Sequence, residues 1–203
     1  MSTANNTNTE TNTETITATN TVTEDLDARL IDACACAYGD AVEVKRLIAL
    51  GADVHASGDW ALRLATEDGH TAIINLLIKA GADVHADRAL RVASAHGHTD
   101  AVKLLIAAGA DVTAKDSSAL RAASAHGHTE VVGALLVAGA DVNALDGGAL
   151  RAASAHGHTE VVGALLVAGA DVNALDGSAL RWASANGHTE VVKILTDWEV
   201  ANK

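Results

Sequence analysis

Three His-Gly-His triplets are the first candidates for chemistry in this sequence. They pair His96 with His98, His126 with His128, and His156 with His158. Imidazole nitrogens bind zinc and copper, so these histidines could form a metal site if their flanking segments converged. No closed ligand set is evident around them. We therefore expect polar residues at helix ends and no cofactor, with a metal-sequestering histidine array as the alternative.

Two cysteines and a row of serines are the candidate nucleophiles. Cys34 and Cys36 point to different faces of a helix, and neither has a histidine at helical spacing. The serines lie mid-helix among small residues, where helix geometry does not aim nearby histidines at a shared cleft. A catalytic site is normally unique, whereas every candidate here repeats, so we expect no enzyme activity. The serines are Ser94, Ser124, Ser154 and Ser184.

Arginine and aspartate recur at fixed positions and form columns along the chain. We expect arginine–aspartate ladders, in which each exposed pair contributes a few tenths to about 1 kcal/mol. The alternative is an arginine row that binds an acidic partner. The arginines are Arg63, Arg91, Arg121, Arg151 and Arg181; one aspartate column is Asp53, Asp83, Asp111, Asp141 and Asp171, and the loop aspartates are Asp59, Asp87, Asp116, Asp146 and Asp176.

Composition limits the partners and the kind of core. The 203 residues carry a formal net charge of −12, which argues against binding to nucleic acid or to anionic membranes. The chain has no Phe, one Tyr and three Trp, so its core must be thin and built from closely approaching elements. Apolar runs such as 131–140 are too short to span a bilayer, and the N-terminus lacks a signal-peptide pattern. We expect a soluble, cytoplasmic protein.

The chain changes character near residue 25. Residues 1–25 are rich in Thr, Asn and Glu without periodicity, which is typical of a disordered tail. From residue 26 to 200 the motifs Gly-Ala-Asp-Val, Ala-Leu-Arg and Gly-His-Thr recur every 30 residues, with one step of 28. Residues 119–148 and 149–178 differ only at Gly148 and Ser178. Such periodicity indicates a repeat architecture.

One period predicts a helix, a turn, a second helix and a projecting loop. Residues 119–126 form a short helix that Gly127 ends in a left-handed conformation. Thr129 caps the second helix, whose apolar positions make one stripe at helical spacing. Gly139 ends that helix, and turn-forming residues follow to 148. Because neither helix can bury its stripe alone, neighbouring repeats must stack.

These motifs resemble ankyrin repeats. The resemblance rests on the Gly-His turn, the Glu-Val-Val-x-x-Leu-Leu helix and Gly-Ala-Asp-Val-Asn-Ala at 139–144 and 169–174, and it covers residues 26–200. It implies an all-α solenoid with short loops or β-hairpin fingers, in which the second His of each triplet braces the turn. The repeats are shorter than the family's usual 33 residues, and Ala-Leu-Arg replaces Thr-Pro-Leu-His. Short repeats of this form resemble those of giant DNA viruses.

We predict about six repeats, each with two helices. The last repeat is expected to form a polar terminal cap, and the first to carry two extra residues near Ala35 and Cys36. The predicted repeats are 27–56, 57–86, 87–114, 115–144, 145–174 and 175–200, and the predicted helix pairs are 27–50, 61–80, 89–108, 119–138, 149–168 and 179–198.

The resemblance implies a module that binds another protein through its loops and first helices. Repeats four and five offer few large side chains, so we expect binding near repeats two and three or near Trp182. The predicted chain is a monomer or associates weakly with itself; the alternative function is a self-associating or spacer solenoid without a dedicated ligand. The predicted contact residues are Trp60, Arg88, Arg91, Lys115 and Trp182.

Overall fold

The computed structural model describes residues 25–35, 39–85 and 88–202. Within these ranges the chain forms twelve α-helices and no strand. Each described helix is too short or too polar to cross a lipid bilayer. The predicted tail before residue 25 and the predicted extra residues around Cys36 lie outside the described residues.

The chain divides into two compact units, Met1–Ala82 and Asp83–Lys203. The first unit contains four described helices and the second contains eight. In the first unit they are α1 (25–35), α2 (Ala41–Ala49), α3 (Ala56–Glu67) and α4 (Thr71–Lys79). In the second they are α5 (Arg88–Ala95), α6 (Thr99–Ala107), α7 (Ala114–His126), α8 (Thr129–Val137), α9 (Ala144–His156), α10 (Thr159–Val167), α11 (Ala174–Ala185) and α12 (Thr189–Ala201).

The second unit is a stack of four helix pairs. Its first helices, α5, α7, α9 and α11, pack side by side, and its second helices, α6, α8, α10 and α12, form a parallel row. Equivalent side chains fill each layer: Leu120, Val132 and Leu135 are fully buried, and so are their counterparts one repeat later. Burying a Leu or Val contributes about 1.5–3 kcal/mol, so stacking stabilises each pair. The predicted all-α stack of helix-turn-helix repeats is confirmed.

The first unit shows the same pairing. Helix α4 packs against both α2 and α3, and Leu47, Leu62, Ile73 and Leu77 are fully buried. Asp40 caps α2 by accepting hydrogen bonds from two backbone N–H groups of the first turn. Beside it, the carboxylate of Glu43 binds the guanidinium of Arg46 at 2.7 Å and that of Arg29 at 3.0 Å, and these two cations, Arg46 foremost, lower its pKa to about 2.

The turn between paired helices depends on glycine and histidine. Gly127 ends α7 with φ 77°, as predicted, because glycine adopts a left-handed backbone without steric cost. The predicted cap at Thr129 is wrong. His128 is the N-cap of α8, its backbone non-helical at φ −83° and ψ 76°, and Thr129 is the first helical residue.

The histidines of the last three turns also bind the preceding repeat. His128 Nε2 donates a hydrogen bond to the backbone oxygen of Ala95 at 3.0 Å, across 33 residues of sequence. The ring lies against Gly97, where a Cβ atom would approach His128 Nδ1 to 2.5 Å. His158 and His188 make the same bond to Ala125 and Ala155. We name these three contacts the histidine clasps. For His128 and His158, each the second His of its triplet, they agree with the predicted bracing of the turn.

The loops between repeats are compact left-handed turns. Lys115, Asp116 and Ser117 have φ between 47° and 55°, and the right-handed helix begins directly after them. Leu145, Asp146 and Gly147 repeat this geometry. The right-handed part of these first helices begins at 118 and 148, one residue before the predicted 119 and 149. The sequence predicted either short loops or β-hairpin fingers between repeats. The described residues contain short loops and no β-hairpin.

We expect His128→Ala to lower the free energy of unfolding by about 1–3 kcal/mol, because the variant loses a bond between two repeats and leaves the Ala95 carbonyl unpaired. Urea unfolding followed by circular dichroism measures this loss. His126→Ala is the matched control, since its ring stacks on His128 but bonds only Ala122 within its own helix. Equal losses in the two variants would show that the clasp contributes nothing specific.

Candidate functional site

The histidine triplets are already engaged in the fold. Within each triplet the two rings stack with centroids 6.0–6.1 Å apart. The first His bonds the carbonyl four residues earlier through Nδ1, and His128, His158 and His188 use Nε2 in the clasps. Among the described residues, no group of three His, Cys, Asp or Glu side chains is arranged to hold a metal ion.

The serine row lies inside the stack. Ser94, Ser124 and Ser154 are fully buried, and in the described structure their Oγ atoms have no hydrogen-bond partner. Only Ser184, in the last repeat, is exposed. Cys34 is also buried, and Cys36 lies outside the described residues. Buried hydroxyls packed between helices cannot reach a substrate.

The arginine–aspartate ladder is not formed among the described residues. None of the ion pairs seen within the described ranges joins an arginine of the column to an aspartate. Arg181 instead donates to the backbone oxygens of Asp176 and Leu175, at 2.5 and 3.1 Å. In the first unit, Asp59 binds His55 at 2.9 Å. The guanidinium of Arg181 therefore binds carbonyl oxygens of the left-handed turn before it, and not a carboxylate.

The aspartates of the Gly-Ala-Asp-Val motifs serve the local turn. In each motif the Asp Oδ1 accepts a hydrogen bond from the backbone N–H two residues later, at 2.8–2.9 Å. Asp111 accepts a second bond from the Thr113 hydroxyl at 2.7 Å. The Thr113 hydroxyl, and next its N–H, hold the pKa of Asp111 below its ordinary value. The aspartate column is therefore structural.

Side chains of one turn also bind the next repeat. Asn143 accepts a bond from the Asp171 N–H at 2.8 Å and donates one to the Gly169 oxygen at 3.1 Å. The Ser117 hydroxyl accepts a bond from the Asp141 N–H at 2.9 Å. These bonds hold each turn at a defined position on the stack.

Two leucines are exposed on these turns. Leu145 and Leu175 are 47% and 50% exposed, with φ of 52° and 50°. A left-handed backbone costs a residue other than glycine about 1–2 kcal/mol. These leucines were not among the predicted contact residues, because repeats four and five were expected to offer few large side chains. The available signal was a large apolar residue in a loop otherwise made of Asn, Ala, Asp and Gly.

The predicted contact residues are accessible to different degrees. Arg88 is exposed at the start of α5, and Arg91 is half-buried one turn later. Lys115 is exposed in the left-handed turn before the main part of α7. Trp182 is 52% exposed on α11, so it does not fill the core. These four residues belong to the second unit.

Trp60 belongs to the first unit and has its own arrangement. Its ring is 40% exposed and lies under the Arg63 guanidinium, 3.4 Å from the ring centroid. A cation over a tryptophan face at this distance is attractive. The Arg63 guanidinium therefore covers one face of the indole, and the ring remains 40% exposed.

Shallow depressions repeat beside the turns. One of about 290 Å³ is lined by Gly127, Thr129, His158, Thr159 and Glu160 among others, and similar ones of 210 and 220 Å³ lie one repeat away on either side. Their histidines are clasped to backbone carbonyls. The depressions therefore follow from the periodic stacking of the turns.

Comparison with known families agrees with this architecture. The sequence model described as ankyrin repeats, in three copies, matches residues 30–116, 85–146 and 119–202. The chain belongs to the ankyrin repeat family. Ankyrin repeats are generally protein–protein interaction modules and typically lack enzyme activity. No curated protein sequence matches the chain significantly.

We expect Ser124→Ala to raise the free energy of unfolding by about 1 kcal/mol, because an unpaired buried hydroxyl costs about 1–3 kcal/mol in desolvation. Thermal unfolding of the purified chain measures the change. Ser184→Ala is the matched control at the exposed equivalent position and should leave the melting temperature unchanged. A lower melting temperature for Ser124→Ala would mean that the hydroxyl has a partner.

We expect Thr113→Ala to raise the pKa of Asp111 toward its ordinary 3.8, because the largest cause of the lowering is removed. Carboxyl titration by NMR measures it, and Thr113→Ser should keep the pKa low. A carboxyl with a lowered pKa stabilises the fold above its unfolded pKa, and this contribution is lost as the pH falls. The stability difference between parent and Thr113→Ala should therefore shrink in acid. An unchanged pKa would contradict this assignment.

Proposed function

We propose that the chain is a protein-interaction module whose second unit binds a partner through its left-handed turns and the exposed positions of its first helices. The observation that carries this proposal is the pair of exposed leucines, Leu145 and Leu175, held at positive φ on successive turns. Backbone strain of this kind persists where surrounding structure enforces it, and it is frequent at functional sites.

The leucines have no evident role inside the stack. Each side chain is about half exposed and so buries only part of its apolar area, while its backbone is in a disfavoured region. Asn or Gly would fit the same turn with less strain. Contact with a partner would explain why leucine occupies these two positions, because the partner would bury two apolar side chains that lie one repeat apart.

The neighbourhood of the leucines supports a mixed apolar and polar contact. A Cβ atom on Gly148 would lie 3.4 Å from Leu145 Cβ and 3.5 Å from Arg121 Cδ, so the arginine column runs beside the turns. Trp182 adds an exposed aromatic ring on α11, the first helix of the last repeat. Tryptophan and arginine are frequent hot-spot residues in interfaces.

The predicted contact residues of the second unit extend this surface. Arg88, Arg91 and Lys115 lie on the first helix or turn of earlier repeats in the second unit, and Trp60 offers an anchor of its own in the first unit. The chain carries a net charge of −12, and Asp146 and Asp176 adjoin the leucines. We infer that the partner presents apolar side chains to the leucines and basic groups to Asp146 and Asp176.

The test is affinity capture from the native lysate with the full chain and with a Leu145→Asn/Leu175→Asn variant. The variant should lose the captured partner and gain about 1 kcal/mol or more in stability, because Asn tolerates left-handed backbone better than Leu. The Ser124→Ala variant is the control, since it also alters stability but leaves the surface intact.

Capture of the same partner by the parent and the leucine variant would overturn the assignment to the turns. Capture of no partner by any form would favour the alternative of a spacer solenoid without a dedicated ligand.

A further inference from the structure

Two half-buried arginines of the second unit, Arg121 and Arg151, have no partner within the described ranges. Neither guanidinium takes part in a hydrogen bond, an ion pair or a ring contact there. By contrast, Arg46 binds a carboxylate, Arg63 lies on an indole ring, and Arg181 donates to backbone oxygens. We name Arg121 and Arg151 the arginine pair.

The local sequence offers the arginine pair no carboxylate. On a helix, side chains meet those that lie three or four positions away. For Arg121 and Arg151 these positions hold only Ser, Gly or Ala. The acidic residues of the same helices, Asp116 and Asp146, lie five residues earlier in the left-handed turns and are not ion-paired with them. The positive charge of the pair is therefore not neutralised by its own helices.

The two arginines lie on one continuous surface. Their helices, α7 and α9, pack side by side. Gly148 of α9 is buried, and a Cβ atom there would lie 3.5 Å from Arg121 Cδ, so the side chain of Arg121 reaches across to α9. Gly148 is three positions before Arg151 and is therefore on the same side of that helix. The same Cβ atom would lie 3.4 Å from Leu145 Cβ, so this surface also includes the leucine turn.

We propose that the arginine pair binds two carboxylates of an extended acidic peptide segment in the protein partner. Guanidinium groups bind carboxylates through two parallel, charge-assisted hydrogen bonds, which are roughly twice as strong as neutral ones. The carrying observation is the juxtaposition of two unpaired guanidinium groups on adjacent helices. The proposal rests on the proposed function, because the segment belongs to the same partner, and it adds the acidic groups that this partner presents beside the leucine turn.

The stack fixes the spacing that the two carboxylates need. Packed helices lie about 8–10 Å apart, and the two arginines occupy equivalent positions in adjacent repeats. A segment in the polyproline II conformation has about three residues per turn and rises about 3.1 Å per residue. Side chains three residues apart therefore share one face and lie about 9 Å apart. We expect the segment to carry two acidic residues separated by two others.

The surroundings of the pair favour a short acidic peptide over a nucleic acid. The chain has a formal net charge of −12, and Asp116 and Asp146 lie in the turns before the arginines. A nucleic acid carries a phosphate charge at every nucleotide, so these turns and the net charge repel most of it. A peptide with two acidic residues places negative charge only where the arginines are.

The test is NMR titration of the full chain with three short, capped Gly/Ser peptides, followed at the arginine Nε–H signals. The first peptide carries two glutamates separated by two residues, the second carries two adjacent glutamates, and the third carries glutamines in place of the glutamates of the first. The Arg121→Gln/Arg151→Gln variant removes the charge of the pair. Lys103→Gln/Lys193→Gln is the matched control, because it removes two exposed positive charges from second helices of the same unit.

We expect the first peptide to shift the Nε–H signals of Arg121 and Arg151. It should bind at least about threefold more tightly than the second peptide, whose carboxylates lie too close together to reach both arginines. Its affinity should fall at least about tenfold in the arginine variant and less than about threefold in the lysine control. The comparison of peptides uses the parent chain alone, so it tests the proposal even if the arginine variant is unstable.

Four results would overturn the proposal: no signal shift with the first peptide, equal affinity of the first peptide and either of the others, equal loss of affinity in the two variants, or tighter binding of a single-stranded oligothymidylate through the same arginines. The last result would identify the pair as a phosphate site. The Leu145→Asn/Leu175→Asn variant keeps both arginines. A failed titration together with loss of partner capture by that variant would therefore reject the arginine pair and leave the proposed function standing.

Discussion

The rest of the second unit depends on the histidine clasp. The buried side chains of each described repeat in this unit are aliphatic or small and none is aromatic, so two repeats must approach closely and in a defined register. His128 sets this register, because its ring needs the space that Gly97 leaves and its Nε2 reaches the Ala95 carbonyl at 3.0 Å. The bond also requires the tautomer with hydrogen on Nε2. Imidazole is a common metal ligand, but here the ring nitrogen bonds a backbone carbonyl and fixes the distance between two repeats.

The short left-handed turn is the second constraint, and it determines which groups the aspartates and arginines of the two columns bind. A turn of three residues leaves no hairpin, and the Asp side chains bond backbone N–H groups within their own segment. Among the described residues, no arginine of the Ala-Leu-Arg column is consequently ion-paired with a carboxylate. The same turn places Leu145 and Leu175 on the surface at positive φ. Local strain and exposed apolar area therefore occur at the same two positions.

Near-identity between repeats does not make their surfaces featureless. The core positions, the clasps and the aspartate turns satisfy the needs of stacking and recur with little change. Differences from the neighbouring repeats appear at exposed positions: Lys115 against Leu145 on the turns, and Lys103 against Gly133 on the second helices. Substitutions at exposed positions usually alter stability little, so these contrasts are free to serve contacts with other molecules. The turns and the second helices each carry one such contrast.

The sequence alone determined the architecture, because a period of 30 residues with helical stripes and glycine stops allows few folds. It also predicted the role of His128 and the end of α7 at Gly127. It could not predict that Thr129 follows the cap, that Ser124 is sealed between repeats, or that Arg181 binds carbonyls rather than a carboxylate. Those outcomes depend on the hand of the turn and on contacts between residues about thirty positions apart. Residue types and spacing show which side chains can meet, whereas only the packed stack decides which of them do.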